Sequence, residues 1–447
     1  MSDKARDAAV GRLWRDEVSY KLLSELAALS ERMGGHPGER EAAKLVANAL
    51  ANAGVREVQT DSFEMQRWNR GHTELAVVEP VQRSFEALAL PYSPPGELEA
   101  ELVDVGYGTP EEIADADVRG KVAVASTTTP PGRRFVHRME SFGHAVAGGA
   151  EAFVFANHEQ GQLPPTGSLR FGAEAAAPGI GVSYETGQWL RKYAGRGGRV
   201  SLQVDASTEP ATSQNVYGVL DPDEPSGETA DEIVAVAHYD AHDVAEGALD
   251  NGCGVAVLLG TAHLLTALDL GCRVRLVGVG CEEVGLLGAE ALAESLDRDR
   301  VRAVVNLDGV GRFRDLRVLT HTSEALGELV GELADETGHP IHVDEDPHPY
   351  SDHWPFLRDG VPSVQLHSQP PGGGKRGRGW GHTEADTLDK VDSRNLRNHA
   401  ILTALLIEKL SRTDPSRIDE GKLRAALRGE DLETGMKAAD VWPEGWG

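Results

Sequence analysis

The stretch IVAVAHYDAHDVAEGALDNG, residues Ile233 to Gly252, decides the fold. It opens on Ile233 to Ala237, a continuous run of β-branched and small apolar residues. That pattern belongs to a strand buried on both faces, as in a parallel sheet. The run stops at His238-Tyr239-Asp240, and a polar loop leads to Asp250-Asn251-Gly252. Val255, Leu258, Leu259, Ala262 and Leu265 then recur at helical spacing, so a helix begins near Gly252. His238 and Asp250 therefore lie just past the carboxyl end of a buried strand, where open α/β sheets bind ligands. An imidazole and a carboxylate placed there can share a divalent metal such as zinc. A solvated loop with one His and several acids would read the same from this stretch alone.

Working outward, the same rhythm repeats. Strands are expected at Arg273–Gly278, Ala303–Leu307, Arg317–Thr320 and Ser363–Leu366, and helices at Gly252–Leu268, Leu286–Leu296, Glu324–Thr337 and Arg394–Ser411. Alternation of this kind means a mostly parallel or mixed sheet with helices on both faces. Upstream, Glu17 to Gly54 reads as two amphipathic helices and Val58 to Phe63 as a strand. From about Arg67 the texture changes to short strand-like runs separated by Gly, Pro and Thr: Leu75–Val78, Leu102–Val105, Lys121–Ala125, Ala152–Ala156 and Val200–Val204. Thr208 to Ser213, polar and Pro-containing, is expected to be a linker. The expected division is residues 1–66 for N-terminal helices and strand, 67–207 for an inserted β-rich domain, 208–412 for the main α/β domain, and 413–447 for a charged tail. In that tail Trp442 and Trp446 either pack the appendage or contact a partner.

Composition narrows the class. Hydrophobic content of 40% and charged content of 26% fit a water-soluble globular chain. No apolar run reaches the roughly 20 residues of a membrane helix, and no basic stripe exists to meet nucleic acid. Three cysteines, Cys253, Cys272 and Cys281, imply neither a disulfide framework nor a zinc motif. The amino-terminal sequence has no apolar signal core, so a cytoplasmic location is expected. The net charge of −27 comes with only 10 lysines against 34 arginines. Such an excess points to adaptation to high salt, where screening removes self-repulsion. Stability and activity should then rise towards molar salt. A salt titration with its optimum in dilute buffer would end that idea.

Further chemistry-bearing residues fall at the ends of the other apolar runs. Val274–Val279 ends in Gly280-Cys281-Glu282-Glu283. Two adjacent carboxylates repel unless a cation or proton offsets them. Their side chains diverge, so one can hold metal while the other serves as general base. An exposed acidic pair opening a helix is the plainer alternative. Ala303–Leu307 ends in Asp308-Gly309, which alone is an ordinary turn. Ser351-Asp352-His353 and then His382, with Asp386 four residues on, complete the set. Two His and three carboxylates (His238, Asp250, Glu283, Asp308, His382) are what two zinc ions need if one carboxylate bridges them.

In this order, H-x-D, G-A-x-D-N-x-x-G, E-E-x-G-L-x-G, N-x-D, S-D-H-x-P-F and H-T-x-x-D-T resemble the M28 family of zinc-dependent peptidases, over about Asn215 to Arg412 plus the N-terminal helices. The inserted block resembles, more loosely, a PA domain. The resemblance implies a phosphorylase/hydrolase-like three-layer α/β/α fold with a mixed sheet and a di-zinc aminopeptidase acting on peptides. It implies that His238, Asp308 and the bridging Asp250 hold one zinc, and that Asp250, Glu283 and His382 hold the other. Glu282 would be the general base, Asp240 would orient His238, and Asp386 would orient His382. Tyr350 and His353 are candidates for a transition-state contact. The family commonly holds the bond after the bridging Asp in cis, here Asp250–Asn251. Cys253 and Cys281 depart from the expected polar or small residues without removing a ligand.

Other functions remain open. A carboxypeptidase or deacylase could use the same metals, with Lys375-Arg376-Gly377-Arg378 anchoring a substrate carboxylate. Glutaminyl cyclisation needs a single zinc. A receptor-like homologue without catalysis would lack ligands, and none is missing here. The inserted domain could gate the cleft or join subunits of a homo-oligomer.

Overall fold

The computed structural model describes residues 3–161, 163–222, 231–373 and 379–447. The Lys375–Arg378 anchor weighed above lies outside them. The chain divides into two compact units: residues 1–64, 212–381 and 386–426 form the first, and residues 65–211, 382–385 and 427–447 the second.

In the first unit the strand expected at Ile233–Ala237 is Glu232–His238, buried along its whole length. It lies parallel to Arg273–Val279 on one side and to Val301–Leu307 on the other. Ser363–Gln369 continues the parallel set beyond Val301–Leu307. Asp315–Leu319 then pairs antiparallel to it, and Ile341–Asp344 parallel to Asp315–Leu319. On the far side Val216–Leu220 runs antiparallel to Arg273–Val279. The sheet is therefore mixed, as the alternating pattern requires.

Alternation along the central strand builds two cores. Ile233, Ala235 and Ala237 join a cluster with Leu22 and Leu26 of helix Val18–Ala27, Val46 of Pro37–Asn52, Leu258 of Cys253–Leu265 and Leu406 of Ser393–Ser411. Val234 and Val236 join another with Leu292 of helix Leu287–Ser295 and Phe356. A strand with both faces covered this way defines a three-layer α/β/α domain. The segment Ala248–Leu265 is apolar enough by composition to cross a membrane, yet 89% of it is buried inside the protein as the central core helix.

The second unit combines strands with helices. Strands Gly96–Asp104, Lys121–Ser126, Ala152–Ala156 and Gly179–Val182 are parallel neighbours in that order. Helices Pro110–Asp115, Arg138–Ala147 and Tyr184–Ala194 accompany them. The residues 427–447 pack within this unit, with Gly435 against Glu140 and Gly143 against Ala438. Trp442 and Trp446 meet edge to face at 5.3 Å.

One expectation fails. Thr208–Ser213 is no linker: it lies inside a single strand, Arg199–Leu220, and the two strands expected near Val58 and Leu75 are likewise one strand, Arg56–Glu79. Polar composition reads as loop, but here it reflects a solvated ribbon, held by Arg67–Glu209 and Asn69–Glu209 contacts. The exposed Pro210 is tolerated because such a ribbon leaves N–H positions facing solvent.

His399 gives the first unit a pH signature. It is fully buried, accepts from Gly311 N–H at 2.9 Å and donates to the Arg314 carbonyl at 3.1 Å, so it is neutral. Burial pushes its imidazole down to about 4. Below about 6.5 the unfolded chain takes up a proton that the folded chain refuses, so stability contributed above that pH is lost as pH falls towards 4. The difference is on the order of 3 kcal/mol. Unfolding of the wild type and of His399→Gln at pH 7 and 4.5 should show a flatter profile for the variant. Identical slopes would show that the ring charges in the folded state.

Candidate metal centre

The carboxyl ends of the parallel strands carry the site. At the end of Glu232–His238, the His238 ring sits with Nδ1 3.2 Å from the Asp240 carbonyl oxygen and 3.4 Å from Asp240 Oδ1. Its Nε2 lies 3.6 Å from Asp250 Oδ1 and 4.0 Å from Glu282 Oε2. Ligand atoms of His238, Asp250 and Asp308 all fall within 4.8 Å of one another. Asp308 Oδ2 accepts from the Ser351 hydroxyl at 2.6 Å and from the Gln365 amide at 3.2 Å, which aims the carboxylate. Asp250 follows Gly247, which adopts a left-handed φ of 56° and is packed against Ala241 and Arg32. The Asp250–Asn251 peptide is cis. The Asn251 side chain ties this turn to the Leu307 carbonyl at 2.7 Å.

The loop after Arg273–Val279 is held from beneath. Cys281, at φ 59°, donates its N–H to Glu39 Oε1 at 3.1 Å. The next two amides, Glu282 and Glu283, donate to Asp240 Oδ1 and Oδ2 at 3.0 and 3.1 Å. Two buried carboxylates thus fix three consecutive N–H groups and aim the Glu282 and Glu283 side chains. The loop before Asp250 is held by Arg32. Its guanidinium donates to the carbonyls of Leu26, Tyr239, Glu246 and Gly247 at 3.0, 3.2, 2.8 and 3.3 Å.

The electrostatics favour added positive charge, whether a proton or a metal cation. Burial pushes the Glu282 carboxyl well above its ordinary range; Glu283, Asp352 and Asp308 push the same way, and only His238 opposes. Burial and Asp250 raise Asp308. Burial again raises Asp352, whose carboxylate oxygens accept no hydrogen bond. For His238, burial lowers the pKa, but Glu282, Asp240 and Asp250 outweigh it and lift the ring well above its usual value. Carboxylates that lift one another are offset by a divalent ion. An imidazole with two carboxylates is a donor set that zinc accepts.

Several expected residues sit differently. The two oxygens of Asp386 accept the Leu249 and Asp250 amides at 2.6 and 3.0 Å, so it positions Asp250. Burial and Asp250 push Asp386 up to about 7. The His382 Nδ1 lies 3.3 Å from the Thr166 carbonyl oxygen within the second unit. His353 lies inside the protein. It is fully buried, with Nδ1 facing the Asn306 amide at 3.2 Å and Nε2 facing the His348 carbonyl at 2.7 Å. Tyr350 stays half-buried, edge-on to His348.

Other residues escape the sequence reading. Arg312 Nη2 lies 3.2 Å from Asp250 Oδ2. His242, two residues after Asp240, brings Nε2 to 2.8 Å from Glu283 Oε2. The H-x-D-x-H spacing was the available signal for His242. Glu39 and Arg32 have none, because the distant segments they hold lie 174 to 242 residues away for Glu39 and up to 215 for Arg32.

A buried His and carboxylate cluster at the mouth of an α/β/α sheet is a candidate metal centre. Comparison with known proteins makes the class specific. The sequence model of Peptidase family M28 matches residues 215–407, and that of the PA domain residues 98–190. Aminopeptidase YwaD of Bacillus subtilis (strain 168) is 26% identical over 420 residues, spanning 91% of this chain and 88% of that protein. The structure of BSAP, a zinc aminopeptidase from Bacillus subtilis, matches with TM-score 0.68 at 25% identity, covering 88% of this chain and 94% of that one. Mouse carboxypeptidase Q is 25% identical over 295 residues, 62% of this chain and 61% of that protein. The chain is a peptide-bond hydrolase, similar to M28 peptidases over residues 215–407 and to PA domains over residues 98–190.

Proposed function

We propose that the protein is a two-zinc aminopeptidase. The observation that carries this is the convergence of His238, Asp250 and Asp308 donor atoms within 4.8 Å, with Glu282 Oε2 4.0 Å from the same His238 nitrogen. His238, Asp250 and Asp308 would hold one ion; Glu283 and His382, with Asp250 between, would hold the other. When bound, such a pair activates water and polarises a scissile carbonyl.

The chain's own residues do the rest. Glu282, kept basic by burial and by its acidic neighbours, takes the proton from the attacking water and delivers it to the leaving amine. Asp240 keeps Glu282 in reach by holding its amide. The acidic surroundings favour a substrate that presents a free α-ammonium group. A carboxypeptidase is the second reading, favoured by the likeness to carboxypeptidase Q and by the Arg312 guanidinium beside Asp250.

A panel of amino-terminally free, amino-terminally blocked and carboxyl-blocked dipeptides, assayed before and after chelation, tests the proposal. Cleavage should need the free amine and vanish with chelator. Cleavage of amino-blocked substrates that needs a free carboxylate would replace it with the carboxypeptidase reading.

A further inference from the structure

His242 has no part in the mechanism above, yet it is 5% exposed and its Nε2 lies 2.8 Å from Glu283 Oε2. Its position is imposed. Ala241 N–H donates to the Arg32 carbonyl at 3.1 Å, and the Arg32 guanidinium grips the carbonyls of Tyr239, Glu246 and Gly247. The loop carrying His242 is therefore clamped at both ends by one residue. A side chain held this firmly against a carboxylate is preorganised.

The donor supply around Glu283 points to what it is preorganised for. Asp250, the expected bridge, turns Oδ1 towards His238 at 3.6 Å, while its Oδ2 meets Arg312 at 3.2 Å. A guanidinium on that oxygen competes with any second ion for it. We propose that His242 is itself a ligand of the cation held by Glu283, coordinating through Nε2. This rests on the two-metal reading and adds to it a donor that the five-residue set lacks.

The geometry is close to what coordination needs. Two donors on a tetrahedral zinc, each bonded at about 2.0–2.1 Å, stand roughly 3.3 Å apart. The present 2.8 Å contact must open by about half an ångström, less than a rotamer change. Coordination requires a neutral ring protonated at Nδ1, so any proton now shared by Nε2 and Glu283 is released when the metal enters. The alternative is that His242 merely orients Glu283 by hydrogen bonding, as outer partners of metal ligands do.

The two roles separate by metal binding, without reference to turnover. Full-length wild type, His242→Ala and His242→Gln would be stripped of metal, checked for folding by circular dichroism, and titrated with Zn²⁺ and Co²⁺. As a ligand, His242 leaves one equivalent bound as in the wild type, and both variants lose the other by more than about 100-fold, beyond the 10–100-fold typical of an outer partner. The Co²⁺ absorption of that equivalent should also change. His242→Gln can still donate to Glu283, so its retention of both equivalents with wild-type affinity and spectrum overturns the proposal. A wild type that binds one equivalent overturns it too. Failure of the aminopeptidase reading would show instead in the dipeptide panel, with the metal count unaffected.

Discussion

Glu282→Ala should cut kcat on an amino-terminally free dipeptide by roughly 10²–10⁴-fold, the usual worth of a placed general base. The side chain is only 12% exposed and stands 4.0 Å from His238 Nε2, next to the paired donors but outside them. Its loss removes a negative charge from a crowd of carboxylates that disfavour one another, so folding should not suffer. Zinc content should also stay at the wild-type level. Turnover and zinc measured on one preparation decide the matter. A variant that keeps full activity would remove Glu282 from the mechanism, and one that loses metal would make it a ligand.

Asp240→Ala should do damage of another kind. Asp240 is fully buried and accepts from the Glu282 and Glu283 amides, with the His238 ring beside it. Without it, two buried N–H groups lose their acceptors, at roughly 1–3 kcal/mol each. Relief of repulsion offsets little. The neighbouring Glu39 is pushed up to about 8 by burial and by Asp240, so near pH 7 it is largely neutral already. Unfolding free energy should fall by several kcal/mol, and activity should be lost even at temperatures where the variant is folded. Asp240→Asn keeps the shape and one acceptor and should sit between. Chemical unfolding of the three proteins checks the order. A stable, active Asp240→Ala would show that the 281–283 loop holds itself.

What the sequence revealed follows from what is local. Ile233–Ala237 is an uninterrupted apolar run, and it forms a fully buried strand because both its faces are covered. His238 and Asp308 directly follow such runs and Asp250 lies in the loop after the first, so their place at the sheet mouth was readable. Side-chain direction was not. Asp386 and His382 are four residues apart, which suggested a pair, yet the carboxylate turns to the Leu249 and Asp250 amides. His353 lies in a motif that reads as functional, but its ring is spent on Asn306 and His348 inside the protein. The long strands were missed because polar stretches such as Thr208–Ser213 carry no burial signal when the ribbon they form is solvated.

The anchoring of the reactive loops by Arg32 and Glu39 has a consequence for how this enzyme comes into being. The first fifty residues of the chain finish synthesis well before the segments around positions 240 and 281 that they must grip. Contacts so distant in sequence form late, after long stretches have been closed into loops. Hydrolytic competence therefore arrives only near the end of folding. Until then the nascent polypeptide carries the residues for cutting peptides without the arrangement to cut its neighbours.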